Sequence, residues 1–140
     1  MRVSDAEIRE FGRMWGLPVQ PDGGRGVVQL GRATRLCAWT MPAELGRSVA
    51  FLMSGTDFRP AIFHPEPGRL ALLGEQLTPL RGEVRRELAE LAVDLQDSDV
   101  LELPDPGCPS WVAYSVPGRE FPDVWHVVHL IRASDTLGKW

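Results

Sequence analysis

Two histidines stand three residues apart in the segment DVWHVVHLIR, residues 123–132. Imidazole is a common metal ligand and proton acceptor near neutral pH, so His126 and His129 could share an ion or divide acid and base roles. The backbone decides between these uses. Residues three apart share a face on a helix and lie on opposite faces of a strand.

Strand-forming residues dominate this segment, and they predict an extended backbone. The β-branched and aromatic members are Val124, Trp125, Val127, Val128 and Ile131. On a strand, His126 and His129 project in opposite directions and cannot bind one ion together. Either of them, but only one, is then a candidate acid or base in a pocket. The simpler interpretation is that each ring packs among apolar neighbours with one nitrogen hydrogen-bonded.

The other potential ligands are scattered along the chain. Cys37 and Cys108 form no CxxC pattern, and His64 stands before a proline turn where a surface position is expected. Zinc needs three or four ligands in tetrahedral geometry, so we predict no metal site. Zinc bound by a cysteine and a histidine is kept only as a third, weaker hypothesis. The GGRG run at residues 23–26 lacks the ending of a phosphate-binding loop, and we expect no cofactor.

Composition indicates one globular domain spanning residues 1–140. Hydrophobic residues make up 44% of the chain and charged residues 24%, and five tryptophans argue against disorder. The net charge of -4 gives no general attraction to phosphate backbones, so nucleic acid is not an expected partner. Lys139 is the single lysine, and the excess of arginine is typical of coding bias in a GC-rich genome.

The beginning of the chain and its hydropathy predict a cytoplasmic protein without a membrane contact. The first residues, MRVSDAEIRE, carry charge where a secretory signal needs an apolar stretch. No later segment approaches the roughly 20 apolar residues of a membrane span.

The remaining patterns predict an α+β fold. Ser4 and Glu7 form a capping box for a short helix over residues 4–15, and a leucine stripe predicts a long amphipathic helix over residues 79–96. Apolar runs predict strands, among which SVAFLM, residues 48–53, is expected to be central. The other predicted strands are GVVQL and RLCAWT joined by a tight turn, PAIFHP, RLALLG, DVLEL, WVAYSV and VWHVVHLIR.

Short connections between these runs favour antiparallel pairing. We therefore expect a single domain with a mainly antiparallel sheet of about six or seven strands. The long helix should pack on one face of that sheet, in addition to the short N-terminal helix.

Two functional hypotheses follow. The first is a non-enzymatic interaction or regulatory module that binds a protein, or a second copy of itself, through a sheet edge or an aromatic patch around Trp39, Trp111 and Trp125. The second is a small metal-independent enzyme or small-molecule-binding protein. Its pocket would lie between the sheet and the long helix, with one of the paired histidines as acid or base and Arg119 as an anion clamp.

Overall fold

The computed structural model describes residues 4–15, 19–21, 28–30, 36–77, 79–96, 102–105, 107–116 and 120–137. This part of the chain is α+β. Its helices are α1 (Asp5–Trp15), α2 (Ala43–Met53), α3 (Gly82–Ala89) and α4 (Val124–Leu137). Its strands are β1 (Val19–Pro21), β2 (Val28–Leu30), β3 (Leu36–Pro42), β4 (Ile62–Phe63), β5 (Arg69–Glu75), β6 (Asp94–Gln96), β7 (Glu102–Leu103) and β8 (Trp111–Ala113).

The main sheet has five antiparallel strands in the order β6-β3-β5-β4-β8. Its longest pairing joins β3 to β5 over seven residues, from Leu36 opposite Glu75 to Pro42 opposite Arg69. A second, three-stranded antiparallel sheet has the order β1-β2-β7. The antiparallel α+β class predicted from the sequence is confirmed. The prediction of six or seven strands is corrected, because the main sheet of the described residues has five.

Both faces of the main sheet are covered, because alternate residues of β3 and β5 enter different clusters of buried side chains. The first cluster lies under α2, α3 and α4, and it receives Trp39 of β3 and Leu72 of β5. The second lies under α1, and it receives Ala38 and Leu73 of the same strands. Continuous burial along the centre of β3 and β5 is therefore a result of this two-sided packing.

Residues 48–53, predicted as a central strand, form the second half of helix α2. Leu45, Val49 and Met53 are buried at a spacing of four, whereas Phe51 is 77% exposed. A strand covered on both faces would bury all of these positions, so the alternation of burial follows the helical period. The apolar run was ambiguous because its exposed position, Phe51, carries an aromatic ring instead of a charge.

The leucine stripe of residues 79–96 does not form one long helix, and that prediction is wrong. Helix α3 ends in a Schellman motif: the N–H of Val93 donates to the carbonyl oxygen of Leu88, and the N–H of Ala92 donates to that of Ala89. Ala92 takes the left-handed conformation with φ of 60°. The chain then turns into β6, where Leu95 pairs with Trp39. No glycine marks this helix end in the sequence.

The C-terminal segment, predicted as a strand, is helix α4. Its buried residues Val124, Val127, Val128 and Ile131 follow the spacing i, i+3, i+4, i+7 of a helix that lies on a core. Asp123 begins it, because its carboxylate accepts the N–H of Trp125 in the position of an N-cap. Tertiary burial of the valine face thus prevails over the strand propensity of valine.

Two local predictions are confirmed and one is corrected. Ser4 and Glu7 form the expected capping hydrogen bonds at the start of α1. The segments PAIFHP and RLALLG supply β4 and β5, which pair antiparallel. The segments GVVQL and RLCAWT do not form a hairpin, since β2 pairs with β1 and β7 whereas β3 pairs with β5 and β6.

Candidate functional site

Helix α4 places His126 and His129 in different surroundings, although they are only three residues apart. His126 is half-buried against the ring of Phe58, with 4.8 Å between the ring centroids, and its buried Nε2 atom has no hydrogen-bond partner among the described residues. His129 is exposed. The prediction that the two imidazole rings point in opposite directions depended on an extended backbone. Because the backbone is helical here, that argument does not apply.

The tryptophans proposed as a binding patch do not form one surface. Trp39 is 1% exposed within the cluster under α2, α3 and α4, and Trp125 packs partly buried against the same cluster. Trp111 belongs to the cluster on the other face of the main sheet, where it packs against Phe63 with 5.3 Å between ring centroids. Arg119, the proposed anion clamp, lies outside the described residues.

A small cavity of about 50 Å³ lies between the main sheet and α3, where the sequence led us to expect a pocket. Trp39, Leu88 and Leu95 form part of its wall. This volume holds a few water molecules, and it is far below the roughly 300–1,000 Å³ typical of ligand pockets. Neither His126 nor His129 lines it.

A larger, open cavity of about 410 Å³ lies at the end of β4, and we call it the His64 cavity. Its apolar wall consists of Phe63, Pro65, Leu103 and Pro104, and its polar groups are those of His64, Cys108 and Ser110. An apolar frame with a few convergent polar groups is the usual composition of a small-molecule site. It brings together an imidazole, a thiol and a hydroxyl from two distant parts of the sequence.

Two consecutive turns shape the loop that carries the thiol. The N–H of Cys108 donates to the carbonyl oxygen of Asp105 over 3.0 Å, and Gly107 has φ of 76°, a conformation that favours glycine. The N–H of Trp111 then donates to the carbonyl oxygen of Cys108 over 3.1 Å. The indole N–H of Trp111 also binds the carbonyl oxygen of Asp105. These hydrogen bonds hold Cys108 in a defined position.

Hydrogen bonding stabilises the ionised form of Cys108. The hydroxyl of Ser110 lies 3.5 Å from its sulfur, where it accepts from the thiol and by rotation donates to the thiolate. Its hydrogen bond to the thiolate, followed by one from the backbone of Ser110, lowers the pKa of the Cys108 thiol below its ordinary value. Desolvation and the negative charge of Asp105 oppose the shift. A partly exposed thiol with a lowered pKa is typical of reactive cysteines.

His64 is fixed by two hydrogen bonds. Its ring Nδ1 lies 2.7 Å from the carbonyl oxygen of Arg69, and it must be the donor there because a carbonyl only accepts. In the neutral ring, Nε2 is then the acceptor. The main-chain N–H of His64 donates to the carbonyl oxygen of Ser110 over 2.8 Å, which joins β4 to the Cys108 loop.

The arrangement can bind a small molecule and supply a nucleophilic sulfur to it. It does not amount to a metal centre, since the described residues contain no group of three histidine, cysteine, aspartate or glutamate side chains placed to hold an ion. The zinc hypothesis therefore finds no ligand set in this part of the chain.

Sequence analysis missed the cavity that His64 and Cys108 share. Both residues stand beside prolines, His64 near the end of the predicted strand PAIFHP and Cys108 in a predicted loop, and no spacing rule connects them. The single available signal was the loop PDPGCP, whose proline and glycine predict a rigid turn next to the cysteine. The two residues line one cavity because β4 lies beside β8 in the sheet.

Among the described helices, none combines the length and apolar character needed to cross a membrane. Comparison with known proteins gives no match to this chain, whether with family models, curated proteins or solved structures.

Proposed function

We propose that this protein binds a small, largely apolar, uncharged or cationic molecule in the His64 cavity, in the reducing environment of the cytoplasm. The observation that carries the proposal is the presence of His64, Cys108 and Ser110 in the lining of one cavity of about 410 Å³. That volume lies within the range of roughly 300–1,000 Å³ of known ligand pockets.

The chemistry of the wall supports this class of ligand. Phe63, Leu103 and two prolines cover the apolar part of a ligand, and the hydroxyl of Ser110 and the free ring nitrogen of His64 provide hydrogen bonds to its polar part. The charge of Asp105 acts on the Cys108 thiol, so an anion at the same place is repelled. This proposal keeps one part of the second sequence hypothesis, a pocket that contains a histidine. The histidine is His64 instead of His126 or His129, and the pocket lies at the end of β4 instead of between the sheet and the long helix.

The test is an amide NMR titration with three probes of one shape and different charge: benzyl alcohol, benzylamine and benzoate. We expect saturable shifts for benzyl alcohol and benzylamine, confined to Phe63, His64, Leu103 and the loop of residues 105–110. Benzoate should bind more weakly. Cys108→Phe places a ring within the cavity and should weaken the binding that the shifts report, whereas Val112→Phe adds the same ring on the exposed part of β8 and should leave the shifts unchanged.

Two results would contradict the proposal. The first is the absence of saturation up to the solubility limit of all three probes. The second is an unchanged response in a Cys108→Phe variant whose spectrum shows a folded protein, because binding would then be elsewhere.

A second candidate function is protein binding or self-association through the edge of the main sheet. Among the described strands, β8 pairs with β4 alone, and Val112 on this edge strand is 54% exposed. An unpaired edge with an exposed apolar side chain is a site for strand addition. Light scattering over a concentration series tests it.

For that test, we expect association that Val112→Lys abolishes. Phe51→Lys is the matched control, because it introduces the same charge at an apolar position 77% exposed on α2. A strictly monomeric protein, or association that only Phe51→Lys abolishes, would refute the edge hypothesis for self-association.

A further inference from the structure

We propose that Cys108 is a modification site within the His64 cavity, where its thiol exchanges with an uncharged, low-molecular-weight disulfide to form a reversible mixed disulfide. This inference rests on the proposed function, because the cavity supplies the space in which the small disulfide lies against the sulfur. It adds the reactive group and the chemical class of the ligand.

Accessibility separates the two cysteines of the chain. Cys108 is partly exposed and lines the cavity. Cys37 is 0% exposed in the cluster under α2, α3 and α4, where its sulfur lies 3.5 Å from the carbonyl oxygen of Gly74. A disulfide dissolved in water therefore reaches Cys108 and not Cys37 in the folded protein.

The loop geometry favours attack by Cys108. The two turns that hold residues 105–111 fix the sulfur beside Ser110, whose hydroxyl lies 3.5 Å away. This contact and the backbone hydrogen bond lower the pKa of Cys108 and thereby raise the thiolate fraction at neutral pH, against the opposing charge of Asp105. His64 contributes the facing wall and the second polar group of the cavity.

The exchange balances without an external oxidant. The Cys108 thiol loses its proton to water, and the thiolate attacks one sulfur of the small disulfide. A new S–S bond forms to Cys108 as the S–S bond of the small disulfide breaks, and the leaving thiolate takes a proton from water. The small disulfide is thus reduced to one free thiol while Cys108 becomes disulfide-bonded. Because Cys37 is buried in a core, a second small thiol must release the adduct by the reverse step.

The choice of an uncharged disulfide follows from the wall of the cavity. Four of its residues are apolar, and Asp105 places a negative charge near the sulfur. An anionic disulfide is repelled by that charge, whereas a neutral one is not.

The experiment incubates the full chain at pH 7 with bis(2-hydroxyethyl) disulfide and follows the intact mass over time. We expect the folded protein to gain one hydroxyethylthio group, which peptide mapping locates on Cys108, and the unfolded protein to gain two. Cys37→Ala should react like the unaltered chain, and Cys108→Ser should not react when folded. Ser110→Ala should react more slowly, because the loss in thiolate fraction exceeds the gain in nucleophilicity of the thiolate that forms.

The reference rate is that of the synthetic peptide LPDPGCPSW under the same conditions. Faster reaction of the folded protein than of this peptide supports the inference. Equal or slower reaction, or an adduct on Cys37, overturns it. The anionic disulfide of thioglycolic acid should react more slowly with the protein, relative to the peptide, than the neutral disulfide does.

Saturating benzyl alcohol distinguishes this inference from the proposed function. If benzyl alcohol binds in the cavity but Cys108 reacts no faster than the peptide, the inference fails and small-molecule binding stands. If Cys108 reacts faster than the peptide but no probe binds or slows the reaction, the proposed function fails, and with it the part of the inference that places the disulfide in the cavity.

Discussion

The main-chain N–H of His64 donates to the carbonyl oxygen of Ser110 over 2.8 Å. This hydrogen bond continues the antiparallel pairing of β4 and β8 beyond Phe63 and Trp111. It ties a histidine at the end of one strand to the loop that carries Cys108. The candidate site thus depends on the pairing of two very short strands.

The close approach of α2 to β5 predicts the effect of a substitution at Gly46. A Cβ atom there would lie 2.8 Å from the Cβ of Leu70. We expect Gly46→Ala to lower the free energy of unfolding by about 1–3 kcal/mol, as overpacked cores do, despite the better helix propensity of alanine. Gly82→Ala in α3 is the control, since a Cβ there meets nothing within 4 Å. Urea denaturation measures both, and equal stability of the two variants would contradict this packing.

The left-handed residue after α3 predicts a stabilising substitution. Ala92 has φ of 60°, a conformation that costs an L-residue roughly 1–2 kcal/mol and costs glycine little. Glycine also has more chain entropy than alanine in the unfolded state, which offsets part of the relief of strain. Ala92→Gly should therefore raise the free energy of unfolding by about 0.5–1 kcal/mol. Ala89→Gly, within α3, should lower it by about 1 kcal/mol. Destabilisation by Ala92→Gly would show that the helix does not end in this motif.

The N-cap of α4 predicts how Asp123 responds to substitution. One carboxylate oxygen accepts the N–H of Trp125 over 3.3 Å, and the other accepts that of Leu77 over 3.4 Å. Asp123→Ala should lower the free energy of unfolding by about 1 kcal/mol. Asp123→Asn should lower it less, because the amide oxygen can still cap α4 while the amide NH2 group cannot accept the N–H of Leu77. Thermal denaturation followed by circular dichroism measures the difference. If Asp123→Ala had no effect, α4 would not depend on this cap.

The ion pair between α3 and α4 predicts a dependence of stability on pH. Arg132 donates two hydrogen bonds of 2.9 Å to Glu87, and this hydrogen bonding, with the charge of Arg132 as a smaller cause, lowers the pKa of Glu87 against desolvation. A carboxylate with a lowered folded pKa stabilises the fold above its unfolded pKa, and this contribution is lost as the pH falls through the folded value.

Glu87→Gln should therefore lower stability modestly at pH 7, and its difference from the unaltered protein should vanish in acid below the folded pKa. The pair is half-exposed, so high salt should reduce the effect. Chemical denaturation of Glu87→Gln, Arg132→Gln and the double variant measures the coupling. A coupling that persists unchanged in acid would contradict an ionic interaction.

The candidate site was only partly predictable from the sequence. The Pro-Gly turn before Cys108 was recognisable, because a glycine with positive φ has a sequence signature. The residues that surround the thiol were not recognisable from the sequence. Ser110 is close in sequence, but its hydroxyl could point in any direction, and His64 reaches the site only through the pairing of β4 with β8. The two C-terminal histidines have a regular spacing in the sequence, whereas no spacing connects His64 to Cys108.

The sequence by itself determined the antiparallel α+β class, the capping box of α1 and the neighbouring strands β4 and β5. These depend on side chains within a few residues of one another, on turns and on apolar content. The helices α2 and α4 were decided by tertiary structure, because an apolar run has no fixed period until one side of it is covered. In α4, the valines at positions 124, 127 and 128 lie together against the first core cluster, and burying that face outweighs the strand preference of each valine. Tertiary structure also decided where α3 ends, and the pairing of β4 with β8 decided that His64 lines the same cavity as Cys108.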